Sequence, residues 1–251
     1  MGTYYVRGII LMHQDFREAD RLITVYTEEY GKLRLLARGV RKVSSKLAGN
    51  LEPYALARLH VVRGRRYDTV AASDVEKTFN GIRRDLKRTY LAAYFSSVVE
   101  YAVPGSVRDA GIYALIRQAF STLEHATTNP VRRMKLVWFF VWQLLAHVGY
   151  GPELQACLAC RKKLRPAVHT FSFTRGGIVC TACSEGPSGA DAKIRPNAIK
   201  ALRIVCRGRW QDAVRLRTGA DTARELTSLT EAYLSFILER PLPLTQFFAP
   251  E

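Results

Sequence analysis

The sequence predicts an α+β protein: a small β-barrel over residues 1–80, then an all-helical domain over residues 81–251 with a four-cysteine finger embedded at about 154–190. Three observations carry this reading. Five short runs before residue 80 alternate with period two, the apolar spacing changes to three or four residues after Phe79, and four of the five cysteines form a C-x2-C-x19-C-x2-C array.

The five runs cover residues 4–12, 21–27, 32–37, 54–62 and 67–74. They are rich in β-branched and aromatic residues and are separated by turn chemistry such as Glu28-Glu29-Tyr30-Gly31 and Arg63-Gly64-Arg65-Arg66. Five short strands in so few residues suit a closed barrel of the OB type. Between the third and fourth lies the segment from Gly39 to Asn50, which is polar, basic and bracketed by glycines, as a loop holding a phosphate backbone would be.

Leu86, Tyr90, Ala93, Ser97 and Tyr101 then recur at helical spacing up to Pro104-Gly105, and Ile112, Leu115, Ile116, Ala119 and Leu123 mark a second helix. A third runs from Val131 to His147, where Gly149 and Gly151-Pro152 end it. Its apolar stretch Leu136–Ala146 is too short to span a bilayer and reads as a buried core helix. Beyond the cysteines, 196–206 and 222–239 are helical in pattern.

The spacing of Cys157, Cys160, Cys180 and Cys183 lets two short knuckles close a tetrahedron around Zn²⁺. Four thiolates leave no open coordination position, so this zinc is a structural cofactor and points away from an enzyme. Disulfides or a redox CxxC are the alternative; the first needs an oxidising compartment, yet Met1–Arg7 has no charged-then-apolar leader, and the second usually accompanies a βαβ pattern. The expected location is cytoplasmic, in association with the nucleoid. Cys206 reads as a buried free thiol and His169 as a surface residue.

The formal net charge is +16 with a pI near 9.9, which points to a polyanionic partner. Lys32 to Arg66 contains ten basic residues and one acid, Glu52. Lys32, Arg34 and Arg38 alternate on the third strand and so share a face; Arg41, Lys42 and Lys46 extend it through the loop, and Arg63, Arg65 and Arg66 sit in the next hairpin. These nine are the candidate DNA-binding residues. Tyr26, Tyr30, Tyr54 and Tyr67 are either base-stacking groups or parts of the core and rim. A membrane partner is excluded because the bases interleave with strand-like alternation rather than lining an amphipathic helix. The stretch from Asp15 to Asp20 is of mixed sign and lacks the further carboxylates of a two-metal nuclease, so no catalytic residue is assigned.

Tyr5-Val6-Arg7-Gly8-Ile9-Ile10-Leu11, Asp15–Leu22, Tyr30–Lys42 and Leu47–Pro53, together with Cys157–Cys160, Phe171-Ser172 and Gly176–Cys183, resemble the bacterial RecO family of recombination mediators, in its zinc-bearing branch. The resemblance covers most of the chain. It implies a non-enzymatic protein that binds single- and double-stranded DNA and anneals complementary strands. It also implies partnership with RecR, help in loading RecA onto strands coated with single-strand-binding protein, and capture of that protein's acidic C-terminal tail. An apolar groove flanked by Arg203, Arg207 or Arg209 would take the tail. No nucleotide cofactor is implied, and the sequence has neither G-x-x-x-x-G-K-[ST] nor G-x-G-x-x-G. The alternative is a zinc-finger regulator of transcription or RNA, which a preference of roughly tenfold for one sequence or for RNA would support.

Overall fold

The computed structural model describes residues 2–125, 129–184, 189 and 191–243. It divides into two compact units, Met1–Ala126 and Thr127–Glu251.

In the first unit β1 (Thr3–Phe16), β2 (Asp20–Thr27), β3 (Gly31–Ala37), β4 (Ala55–Val62) and β5 (Asp68–Thr78) close a barrel in the order β1-β2-β3-β5-β4. The β3–β5 pairing is parallel and the others antiparallel, which is the OB arrangement the sequence predicts. β1 runs four residues past the end that its periodicity indicates, because it serves two neighbours: Thr3–Ile10 pairs with β4 and Gly8–Phe16 with β2. A register shift between Ile10 and Met12 lets the strand bend from one partner to the other. Gly8 sits where the strands crowd, since a Cβ there would lie 2.5 Å from Val25 Cγ1 and 2.9 Å from the Tyr26 carbonyl oxygen. Alternate residues point inward, and Val6, Ile10, Ile23, Val25, Leu35 and Leu59 are fully buried together. Val40 and a single 3-10 turn at Gly49–Leu51 pin the ends of the long β3–β4 loop onto this core, leaving Arg41, Lys42 and Lys46 exposed between them.

Three helices complete the unit: α1 (Asn80–Arg83), α2 (Leu86–Ala102) and α3 (Ala110–Glu124). Asp85 caps α2 by accepting from the Arg88 N–H at 2.9 Å, and Asp109 caps α3 by accepting from Gly111 and Ile112.

The second unit is built on α4 (Pro130–His147), which Asn129 caps and Pro130 opens, with α5 (Pro196–Arg207), α6 (Trp210–Arg215) and α7 (Ala220–Leu238) packed around it. Trp142 and Trp138 donate indole N–H groups to Thr230 and Thr227 of α7 at 2.9 and 3.2 Å, so the buried polar tips are satisfied. The cysteine segment is not purely loop. It holds a three-stranded antiparallel sheet in the order β7-β6-β8, formed by β6 (His169–Ser172), β7 (Gly177–Val179) and β8 (Ala192–Ile194). Phe171 of β6 is fully buried against Trp142 and Tyr233, with ring centroids 6.0 and 5.2 Å away. Strands of three or four residues are too short to show a period, and α1 and α6 escape sequence reading for the same reason. Among the described residues, no helix is long and apolar enough to cross a membrane.

Candidate metal centre and nucleic-acid rim

Each cysteine pair sits on a tight turn. In the first knuckle the Arg161 N–H donates to the Cys157 carbonyl and the Cys157 N–H to that of Lys162, both at 2.9 Å; Arg161 takes a left-handed φ of 60° to turn the chain. In the second, the Cys183 and Ser184 N–H groups donate to the Cys180 carbonyl at 2.9 and 3.0 Å. Backbone bonds between Glu153 and Ile178, and from Leu158 to Ile178, tie the first knuckle to β7 and bring the pairs together.

The four sulfurs lie within 4.8 Å of one another, and Cys160 Sγ is 3.9 Å from Cys180 Sγ. A tetrahedron with Zn–S bonds of about 2.3 Å has an edge of about 3.8 Å, which the Cys160–Cys180 separation matches and which the other separations exceed by at most about 1 Å. Burial acts to push the Cys157 thiol up, but N–H groups of Cys180, Cys160 and Ala159 outweigh it and bring the thiol down to about 6. Cys183 moves the other way, to about 12, because Cys180 and then Cys160 hydrogen-bond to it. Four thiolates this close repel, and only a cation at their centre makes all four charged forms favourable together. The cluster can therefore hold a metal ion.

His169 is not a surface residue. It is 5% exposed, with Nε2 2.9 Å from the Arg165 carbonyl oxygen and Nδ1 3.3 Å from Thr181 Oγ1, so it braces the flanks of both knuckles and stays outside the cluster. Cys206 also lies outside it; burial raises its thiol to about 12.

The nine candidate DNA-binding residues fall into two groups. Lys32, Arg34 and Arg38 do not form one open face. The Lys32 side chain is only 10% exposed, its Nζ lies 3.5 Å from Glu100 Oε2 on α2, and it donates to the Glu100 backbone carbonyl as well. Burial lowers its pKa although Glu100 pulls the other way. Arg34 also binds the Glu100 carboxylate, while remaining 63% exposed. Arg38 lies beyond the end of β3, in the turn. The outer side of β2 and β3 is covered by chain from the same unit: Tyr26 Oη donates to the Asp109 carbonyl at 3.4 Å, and a Cβ on Gly31, which has φ 70°, would strike the Val107 carbonyl at 2.2 Å.

The remaining candidates meet at the loops. The Gly39 N–H donates to Asp20 Oδ1 at 2.8 Å, and Arg41 binds the Ala19 and Glu18 carbonyls at 3.0 and 3.1 Å, which lays the start of the β3–β4 loop on the β1–β2 hairpin. Phe16 of that hairpin meets Tyr67 edge to face at 5.9 Å, which adds the β4–β5 hairpin. Three loops thus share one rim. Arg38, Lys42, Lys46 and Arg65 are exposed there without a carboxylate partner among the described residues, whereas Arg41 lies 3.5 Å from Asp15. Arg66 stacks over Tyr67 and Arg63 over Tyr4, 5.3 and 5.5 Å from the ring centroids.

Arg17 was hidden in the mixed-sign hairpin, yet it is exposed, lies over Phe16 at 5.3 Å and belongs to the rim. Its signal is position, in the three-residue turn between two long strands. Of the tyrosines, Tyr26 is fully buried and Tyr54 packs its ring on Phe120 at 5.6 Å, so both are core; Tyr30, 41% exposed, and Tyr67 remain.

Comparison with known proteins divides the chain near the end of the barrel rather than at the boundary between the two compact units. Residues 1–79 match the family model described as recombination protein O N terminal, and residues 83–246 match recombination protein O C terminal. A DNA repair protein RecO from Dehalococcoides mccartyi is 30% identical over 94% of this chain and 91% of its own length. Those from Desulforudis audaxviator and Desulforamulus reducens are 31% and 27% identical, over 96% and 98% of this chain and 94% of each relative.

Proposed function

The chain belongs to the recombination protein O family and acts in DNA repair, and from that premise we propose that it is a non-enzymatic mediator that binds single- and double-stranded DNA and anneals complementary strands. The observation that carries this reading is the rim: cations from three loops converge with Tyr67 among them, and all but Arg41 lack a carboxylate partner among the described residues. Arginines and lysines of this kind bind phosphates without reading sequence, which suits a protein that must pair any two complementary strands. The working set is Arg17, Arg38, Arg41, Lys42, Lys46, Arg63, Arg65 and Arg66, with Lys32 and Arg34 set aside because both engage Glu100.

Zinc is the metal that suits Cys157, Cys160, Cys180 and Cys183, because a closed set of four soft thiolates favours it and offers no site for substrate. Its role is to hold the finger on which β6, β7 and β8 are hung. The family also supports partnership with RecR and delivery of RecA to strands coated with single-strand-binding protein, in the cytoplasm at the nucleoid. For the acidic tail of that protein, Arg203 is engaged by the Leu154 carbonyl at 2.9 and 2.6 Å. Exposed Arg207 and Arg209, next to half-exposed Ile204, are the better flank.

The test is a strand-annealing assay at several salt concentrations on protein carrying Arg38→Glu, Lys42→Glu and Arg66→Glu. Annealing should fall by roughly a hundredfold at low salt. Unaltered annealing by the triple variant sinks the rim, and a preference of roughly tenfold for one sequence or for RNA would favour a regulator instead. Metal analysis should find one Zn²⁺ per chain, lost in Cys157→Ser and Cys180→Ser proteins together with thermal stability; a stable metal-free variant would contradict the structural role.

A further inference from the structure

The pairing of His169 with Ile194 in β6 and β8 brings the segment before β6 alongside the segment after β8. Those two segments wall a pair of adjoining cavities in the second unit. The smaller, about 50 Å³, has Arg165, Lys200 and Arg203 around an apolar floor that includes Leu164 and Ile199. Next to it, past Pro166 and Pro196, a wider cleft of about 770 Å³ is lined by Lys193, Arg195 and Arg224 together with Asp221 and Glu225.

The charges do not balance. Glu225 accepts from the Arg195 N–H at 2.7 Å and lies 3.8 Å from its guanidinium, and Asp221 binds Arg224. Arg165, Lys193, Lys200 and Arg203 have no carboxylate partner among the described residues. The two hydrogen bonds that Arg203 makes to the Leu154 carbonyl fix its guanidinium at the cavity wall without neutralising it. α5 begins between the cavities at Pro196, with no side chain capping its first turn, and so adds the positive end of a helix dipole. Holding four unbalanced cations around one trough costs self-repulsion that a polyanion would relieve.

We propose that this trough is a second binding site for single-stranded nucleic acid, so that the protein holds one strand on the barrel rim and another on the finger-bearing unit. The proposal rests on the annealing function inferred above. A polynucleotide fits better than a short acidic peptide because the cations spread over two cavities rather than one, and a strand brings a phosphate with each nucleotide. Annealing needs both strands neutralised at once, and two separate basic sites supply that.

The test uses full-length protein with Arg165→Glu, Lys193→Glu and Lys200→Glu, all exposed positions, and a melting curve to verify the fold. Two non-complementary oligonucleotides, one carrying an energy-transfer donor and one an acceptor, report double occupancy of a single chain, and an Asp-rich peptide ending in Phe is titrated in parallel. The wild type should show double occupancy. The folded triple variant should keep binding one oligonucleotide within about twofold, lose double occupancy by roughly tenfold or more, and show a log affinity against log salt slope for the second strand that is shallower by about 2. Double occupancy unchanged in the variant overturns the proposal, as does a wild type that holds only one strand. So does loss of peptide binding with both strands still held. A wild type that binds no strand at all instead refutes the DNA-binding function itself.

Discussion

On the outer face of β3, Lys32 and Arg34 lie against Glu100 of α2, whereas on the loop rim of the same barrel Arg38, Lys42, Lys46 and Arg65 have no carboxylate partner among the described residues. The residue types match and the positions are only a few apart in sequence. What differs is whether a distant carboxylate has been brought to them. Glu100 is 7% exposed in its side chain, so the β3 cations support the packing of α2, and their charge is unavailable to a partner in proportion to their burial. Arg58 repeats the lesson across the barrel, where Glu76 at 3.3 Å engages it and at 2.7 Å engages Arg7. Ten basic residues in a run are therefore not ten unpaired cations.

Reversing the comparison should give opposite effects on stability and on DNA binding. The largest effect is expected from Glu100→Gln. It leaves Lys32 charged and buried without its partner, and should cost roughly 3 kcal/mol in a denaturant titration while leaving affinity for single-stranded DNA within about twofold. A variant as stable as the wild type would mean that Lys32 and Glu100 do not meet.

The pH dependence of that variant sharpens the point. The folded-state pKa of Lys32 is already lowered by burial, and removing a carboxylate that raises it must lower it further. A folded value below the unfolded one means that the unfolded chain binds more protons. Stability of Glu100→Gln should therefore recover as pH rises through the window between the lowered folded value and the ordinary lysine value. A penalty that stays flat across that window would contradict the assignment.

A smaller effect separates single residues. Lys42→Met should weaken DNA binding by roughly threefold at moderate salt and leave the melting temperature unchanged, since Lys42 is exposed and makes no ion pair among the described residues. Lys32→Met should leave binding unchanged and lower stability, because it leaves the buried Glu100 carboxylate with Arg34 as its remaining ion-pair partner among the described residues. Binding that falls equally in both would erase the distinction between face and rim.

The sequence made the barrel, the longer helices and the cysteine cluster legible because each rests on local pattern: alternation in the strands, apolar spacing in α2 to α4, and thiol spacing at the turns. The β1 extension through His13 to Phe16 was not legible, because it depends on pairing with Asp20–Ile23 across a hairpin rather than on alternation of its own. The pairing of Lys32 was not legible because its partner, Glu100, stands 68 positions later. His169 reads as exposed in a basic segment, and only the hydrogen bonds to Arg165 and Thr181 show that it is a brace. The rim itself was half visible: its bases were found, but the contacts of Phe16 with Tyr67 and of Asp20 with Gly39 that bring the loops together are properties of the closed barrel.

The central claim is that DNA meets the loop rim and not the β3 face. Its most direct measurement is the slope of log affinity against log salt for a single-stranded oligonucleotide, compared among wild type, Lys32→Met, and an Arg38→Ala, Lys42→Ala, Arg66→Ala triple variant. The account expects the wild-type slope in Lys32→Met and a slope shallower by about 2 in the triple variant. A shallower slope in Lys32→Met with the wild-type slope in the triple variant would place DNA on the face and contradict it.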